Sequence, residues 1–146
     1  MELSLALSLP RDEQTVPVAR HLVRNAMEQV GVAPDCIYDF ELALSEACTN
    51  VLHHSGPGDQ FVVRLDLEDH LGVIRIIDVG RGFDSAKLQT DDPAPEAERG
   101  RGVGLMQALV DRVDFTSRPE AGTIVTLEKI LTYDDERLLV GRRKQV

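Results

Sequence analysis

No stretch of the 146 residues approaches the roughly 20 consecutive apolar positions that a membrane-spanning helix needs. The opening Met1-Glu2-Leu3-Ser4-Leu5 alternates and lacks the basic start of a signal peptide. Positive charge is also scarce: 16 Lys and Arg stand against 25 Asp and Glu, a formal net charge of -9. That balance argues against a direct nucleic-acid partner, whose phosphates call for a basic surface. A polyanionic ligand would then need locally concentrated cations or a metal. Cysteine is limited to Cys36 and Cys48, at neither zinc-ligand nor redox-pair spacing, so both read as reduced structural thiols. There is no internal repeat, and the length suits one domain with a single core. The expectation is a cytoplasmic protein with no membrane partner.

What is present is periodicity. Leu3, Leu5, Leu7 and Leu9 alternate with Ser4, Ala6 and Ser8, the pattern of a strand with one buried face, ended by Pro10. From Thr15 as N-cap, with Pro17 in the first turn, Val18, Leu22, Val23, Ala26, Met27 and Val30 keep helical spacing as far as Gly31. Arg20 and Arg24 fall on the polar side of this helix and read as a solvated face. Pro34 opens a second helix, closed by Ser55-Gly56-Pro57-Gly58, whose stripe of Ile37, Phe40, Leu44, Ala47, Cys48 and Val51 is expected in the core. Phe61, Val63, Leu65 and Leu67, a turn at Asp69-His70 and a run from Val73 to Val79 predict an antiparallel hairpin.

Asp78 shares the parity of Ile74 and Ile76, which puts a carboxylate on the buried face of that hairpin, where it is costly unless it has partners. Between Gly80 and Gly104 the chain is polar and broken by proline, as in a mobile loop. A short helix from Val103 to Val113 follows, on Leu105, Met106, Leu109 and Val110. A last hairpin sets Val113, Phe115 and Ser117 against Thr123, Val125 and Leu127 around Glu120-Ala121-Gly122. The order β-α-α-β-β-α-β-β predicts an α/β (α+β) two-layer sandwich, a mostly antiparallel sheet with its helices on one face. Residues 1–131 form the single domain, and the polar tail 132–146 is expected to be loosely ordered.

Three groups of residues carry potential chemistry. Glu46, Asn50 and His54 stand one turn apart along one flank of the second helix. Asp78-Val79-Gly80-Arg81-Gly82-Phe83 ends a strand, and Gly100-Arg101-Gly102-Val103-Gly104-Leu105 opens a helix. Glycines admit close backbone approach, and amides at a helix start suit phosphate oxygens. Together these groups point to a nucleotide beneath a glycine-hinged lid. The chain has no Gly-Lys-Ser or Gly-Lys-Thr phosphate loop, and Leu105 stands where a dinucleotide fingerprint from Gly100 needs its last glycine. On the glycines alone, a flexible surface loop is an equal reading.

The combination resembles a known family. Glu46-x-x-x-Asn50-x-x-x-His54, Asp78-x-Gly80-x-Gly82, Gly102-x-Gly104-Leu105 and Gly122-Thr123 have the order and approximate spacing of the GHKL ATP-binding superfamily. The run Ser45-Glu46-Ala47-Cys48-Thr49-Asn50 is similar to that of the bacterial anti-sigma-factor serine/threonine kinases, and the likeness covers about Leu3 to Ile130. It implies the GHKL (Bergerat-type) ATP-binding fold. Asn50 then looks like the Mg²⁺ ligand, a neutral oxygen for a hard cation that takes its other ligands from phosphates and water. Glu46 looks like the general base and Asp78 like the adenine reader, with Thr123 beside it. Gly80, Gly82, Gly102 and Gly104 would hinge and floor the lid, with the amides of Gly102, Val103, Gly104 and Leu105 facing phosphate. His54 fits either a ligand contact or a helix-end cap. Arg81 and Arg101 read as solvent-facing before they read as phosphate cations.

The resemblance implies an ATP- and Mg²⁺-dependent anti-sigma factor and serine/threonine protein kinase. Such a protein binds a sigma factor, phosphorylates an anti-anti-sigma antagonist and is a homodimer, for which the first strand could leave a sheet edge open. Arg20 and Arg24 gain weight as partner contacts on this view. The alternative is a nucleotide-gated binding module without phosphotransfer. A detached sensor histidine-kinase domain fits less well, because nothing resembles a dimerisation helix pair carrying a phosphoacceptor histidine.

Overall fold

The computed structural model describes residues 2–54, 60–78, 103–118 and 122–134, the side chains of 54, 117 and 118 excepted. Strand β1, Glu2–Pro10, half-buries its four leucines and exposes the serines and alanine between them. A 3-10 turn over Glu13–Thr15 leads into helix α1, Val16–Gln29. The cap at this junction is Asp12, whose Oδ1 accepts the Gln14 N–H at 2.9 Å. Thr15, expected to cap α1, instead donates its hydroxyl to the carbonyls of Pro10 and Asp12, at 3.0 and 2.7 Å. Its hydroxyl is turned back to the end of β1 and makes no capping bond to α1.

Helix α1 buries Val16, Ala19, Val23 and Met27. Val18 and Leu22, expected on that stripe, face outward at 46% and 38% exposure. They form a second apolar row on the far side of the helix, which the 3.6-residue period separates from the first. The arginines differ from expectation too. Arg24 donates to Glu41 Oε1 from Nε at 2.7 Å and Nη2 at 2.6 Å, and Arg20 Nε lies 3.9 Å from the same oxygen. Glu41 is buried, so the polar side of α1 is a clamp onto α2 as well as a solvated face.

Helix α2, Pro34–His54, lays its predicted stripe on the sheet: Ile37, Phe40, Leu44, Ala47, Cys48 and Val51 are each at most 5% exposed. Each large apolar side chain so buried is worth about 1.5–3 kcal/mol. The sheet leaves a notch for one of them. A Cβ at Gly72 would lie 2.8 Å from Phe40 Cε2 and 3.0 Å from Leu131 Cδ2, so the phenyl ring occupies the room a side chain would take.

Strands β2 (Gln60–Glu68) and β3 (Leu71–Asp78) form the predicted hairpin, with Asp69 at φ 49° in its turn. A helical segment at 103–109 precedes β4 (Arg112–Arg118) and β5 (Gly122–Ile130). It is shorter than expected, because Val113 already pairs with Leu127 in β4. The five strands run in the order β1-β2-β3-β5-β4, every neighbouring pair antiparallel, with α1 and α2 on one face. In this sheet β1 and β4 are the edges.

Residues 132–134, expected within a loose tail, are tied down. Thr132 accepts from Ala33 N at 2.8 Å, Asp134 N donates to Gly31 at 2.8 Å, and the Tyr133 hydroxyl donates to the Asp69 carbonyl. Residues 135–146 lie outside the described residues. Among the described residues, no helix is long and apolar enough to cross a membrane.

Candidate nucleotide site

The site begins with the division of α2 into two flanks. While Phe40, Leu44, Ala47 and Val51 are wholly inside, Glu46 and Asn50 are half-buried, and neither makes a hydrogen bond or ion pair among the described residues. Ser45, just before them, has its hydroxyl oxygen buried without a hydrogen-bond partner among the described residues. Cys48 faces the core, where burial pushes its thiol up to about 12, so it is neutral and unreactive at ordinary pH. Cys36 is also buried and free.

The sheet contributes Asp78, 1% exposed at the end of β3, on the same face as Ile74 and Ile76. Its cross-strand neighbour in β2 is Phe61. The pairing of Ile77 with Ile124 brings Thr123 alongside Asp78 from β5. Gly122 explains why glycine precedes that threonine. Its φ is +84°, and a Cβ there would sit 2.0 Å from the Asp78 carbonyl oxygen, closer than any side chain tolerates.

One residue of this neighbourhood gave no signal in the sequence. Arg11 follows β1, and its side chain is 8% exposed. Nε lies 3.9 Å from Asp78 Oδ1, and Nη2 lies 3.5 and 3.4 Å from the carbonyls of Val51 and Leu52 near the end of α2. A cation suits that place twice over, against a buried carboxylate and at the negative end of a helix dipole. Beside it, His53 Nε2 lies 3.3 Å from Glu13 Oε1, so the end of α2 meets the β1–α1 connection at two points.

Of the residues expected to floor a lid, Val103 packs half-buried on the core, and Gly104 and Leu105 are exposed; Met106, next along the helical segment, is fully buried. Among the described residues, a Cβ at Gly104 would meet nothing within 4 Å, so their packing does not require glycine there. The far end of the segment is fixed by Lys129, which donates to the Leu109 carbonyl at 2.9 Å and lies 3.8 Å from Asp39. Gly80, Gly82, Gly102, Arg81, Arg101 and the His54 side chain lie outside the described residues.

Comparison with known proteins points the same way. Residues 9–129 match the histidine kinase-like ATPase domain family. A serine-protein kinase RsbW of Bacillus pumilus is 30% identical over 145 residues, covering 89% of this chain and 87% of its own. An anti-sigma F factor of Bacillus licheniformis is 32% identical over 127 residues, covering 82% and 86%. Among solved structures, the RsbU and RsbW domains of a Mycobacterium tuberculosis protein superpose with a TM-score of 0.69 at 21% identity. That match covers 90% of this chain, which spans 33% of the other's length. The SiaB-SiaC complex of Pseudomonas aeruginosa gives 0.59 at 17% identity, covering 88% of both chains. The chain belongs to the histidine kinase-like ATPase domain family, on the branch of the bacterial anti-sigma-factor serine kinases.

Proposed function

We propose that the protein is an ATP-dependent anti-sigma factor that phosphorylates a serine or threonine of an antagonist protein and exchanges partners with its nucleotide state. The observation that carries this reading is Asp78: a carboxylate 1% exposed at the end of β3, beside Thr123. A carboxylate so placed accepts hydrogen bonds, as reading the exocyclic amino group of adenine requires.

The residues on α2 fit the rest of a Mg·ATP ligand. Among the described residues, no cluster of three or more His, Cys, Asp or Glu could hold a metal. A cation at Asn50 would therefore draw its other ligands from phosphates and water, in the manner of Mg²⁺. Such a bound group supplies the transferable phosphoryl and neutralises its charge. Glu46, on the same flank and uncommitted among the described residues, would take the proton of the attacking hydroxyl. The helical segment at 103–109 would present Gly104 to phosphate. Gly104 is exposed in that segment, and backbone amides near a helix start suit phosphate oxygens.

The sigma factor would dock on the outer row of α1. Val18 and Leu22 are exposed there, and Pro17, Arg20, His21 and Arg24 complete a shallow groove with them. The open edge of β1 would pair two copies into a dimer. The test is purified protein with labelled ATP, Mg²⁺ and a cognate antagonist. Glu46→Ala should abolish transfer while nucleotide still binds, and Asn50→Ala should weaken Mg²⁺-dependent binding about tenfold or more. Wild-type protein that binds ATP and transfers phosphate to no cognate partner would leave only the nucleotide-gated module.

A further inference from the structure

We infer that Arg11 is a positioning residue for base recognition, setting the Asp78 carboxylate and tying it to the end of α2. The inference rests on the reading of Asp78 as the group that contacts the base.

Three observations carry it. The Arg11 side chain is 8% exposed, so it is built into the interior instead of reaching into solvent. Its guanidinium spans two elements that share no backbone hydrogen bonds, β3 through Asp78 and α2 through Val51 and Leu52. And it arrives from a third element, the turn after β1, which is held independently by Asp12 and Thr15. Arginine suits the task because its planar fork can face a carboxylate on one edge and carbonyls on the other.

The consequence concerns selectivity. A carboxylate with a fixed direction accepts a hydrogen bond from the adenine amino group and repels the carbonyl oxygen that guanine presents at the same place. Removing the guanidinium takes away one of the groups that hold the Asp78 carboxylate, and a carboxylate held less firmly loses part of both the attraction and the repulsion. Arg11 would therefore govern the preference for adenine over guanine without touching the nucleotide. It would also hold the end of α2 at a set distance from the base reader.

The experiment measures dissociation constants of non-hydrolysable ATP and GTP analogues, with thermal melting of the same samples. Arg11→Met should weaken ATP-analogue binding about tenfold and lower the ATP-to-GTP preference, while binding stays Mg²⁺-dependent. Arg11→Lys keeps the charge without the fork and should retain part of the preference. It also decides the matter if Arg11→Met fails to fold. In the Asp78→Asn background, Arg11→Met should change the preference no further. A lower melting temperature with an unchanged ATP-to-GTP ratio in both Arg11 variants would overturn the inference and make Arg11 a structural clamp. Wild-type protein that binds both analogues equally, or neither, would instead overturn the reading of Asp78 itself.

Discussion

Glu41 and Glu46 stand five positions apart on one helix and are used in opposite ways. Glu41 is 6% exposed and spends one carboxylate oxygen on two bonds from Arg24, with Arg20 nearby. The pair holds Arg24 above the usual guanidinium range, chiefly through the Glu41 hydrogen bond. Glu46 is half-buried with no such partner among the described residues. Asp66 repeats the first pattern on the open face of the sheet, where it accepts from Ser4 at 2.6 Å, Arg64 at 2.9 Å and Arg75 at 3.3 Å. The difference separates acids committed to holding elements together from one that holds nothing among the described residues. Glu41→Ala and Glu46→Ala should accordingly fail in different assays.

The largest effect is expected at Glu46. Replacement by alanine should lower phosphotransfer by about 10²–10⁴-fold, with stability changed by no more than about 0.5 kcal/mol. Equal losses of stability and nucleotide binding would place Glu46 with Glu41. Next comes Gly122→Ala, which forces a side chain toward the Asp78 carbonyl. It should cost about 1–3 kcal/mol from the backbone conformation alone, and more from the overlap, read as a lower denaturant midpoint. Glu41→Gln should lower the thermal midpoint by loosening α1 from α2, while the ATP affinity of the folded protein stays unchanged. A shift in affinity would show that the clamp reaches the site.

The smallest effect is expected at Asp66. Its carboxyl is held below the usual range, first by the Ser4 hydroxyl and then by Arg64 and Arg75, against the opposing pull of partial burial. A carboxyl whose folded pKa is depressed contributes stability that is present above its unfolded value near 3.9 and is lost as pH falls through the folded value. Because its ion pairs lie on the open face of the sheet, where solvent screens them, the contribution is about 0.5 kcal/mol. Asp66→Asn should remove it at pH 7 and make little difference at pH 2, measured by urea denaturation at both.

Where burial follows a short period, the fold was legible. The stripe of α2, the leucines of β1 and the parity of Asp78 all lie in runs where one side of a regular element meets the core, and each stands where the period puts it. The motif residues Glu46 and Asn50 were legible as a row for the same reason. What stayed hidden depends on partners distant in the chain. Arg11 meets a carboxylate 67 positions away and carbonyls about 40 away, and a lone arginine after a proline announces neither. Arg24 reads as solvated until the packing of α1 on α2 brings Glu41 beneath it. Val18 and Leu22 look like core because hydrophobicity alone does not say which of two apolar rows will be covered.

The notch at Gly72 has a consequence beyond packing. Phe40 and the pair Glu46 and Asn50 are carried by one rigid helix, so whatever fixes the azimuth of the phenyl ring also fixes the azimuth of the acid and the amide. With the ring seated in the gap between Leu67, Leu131 and the backbone at 72, α2 cannot roll along the sheet without first lifting out of it. A side chain at position 72 would act as a shim, and the tilt it introduced at Phe40 would be felt two turns away as a misaimed carboxylate. The sheet thereby sets the aim of the helix by omitting a single side chain.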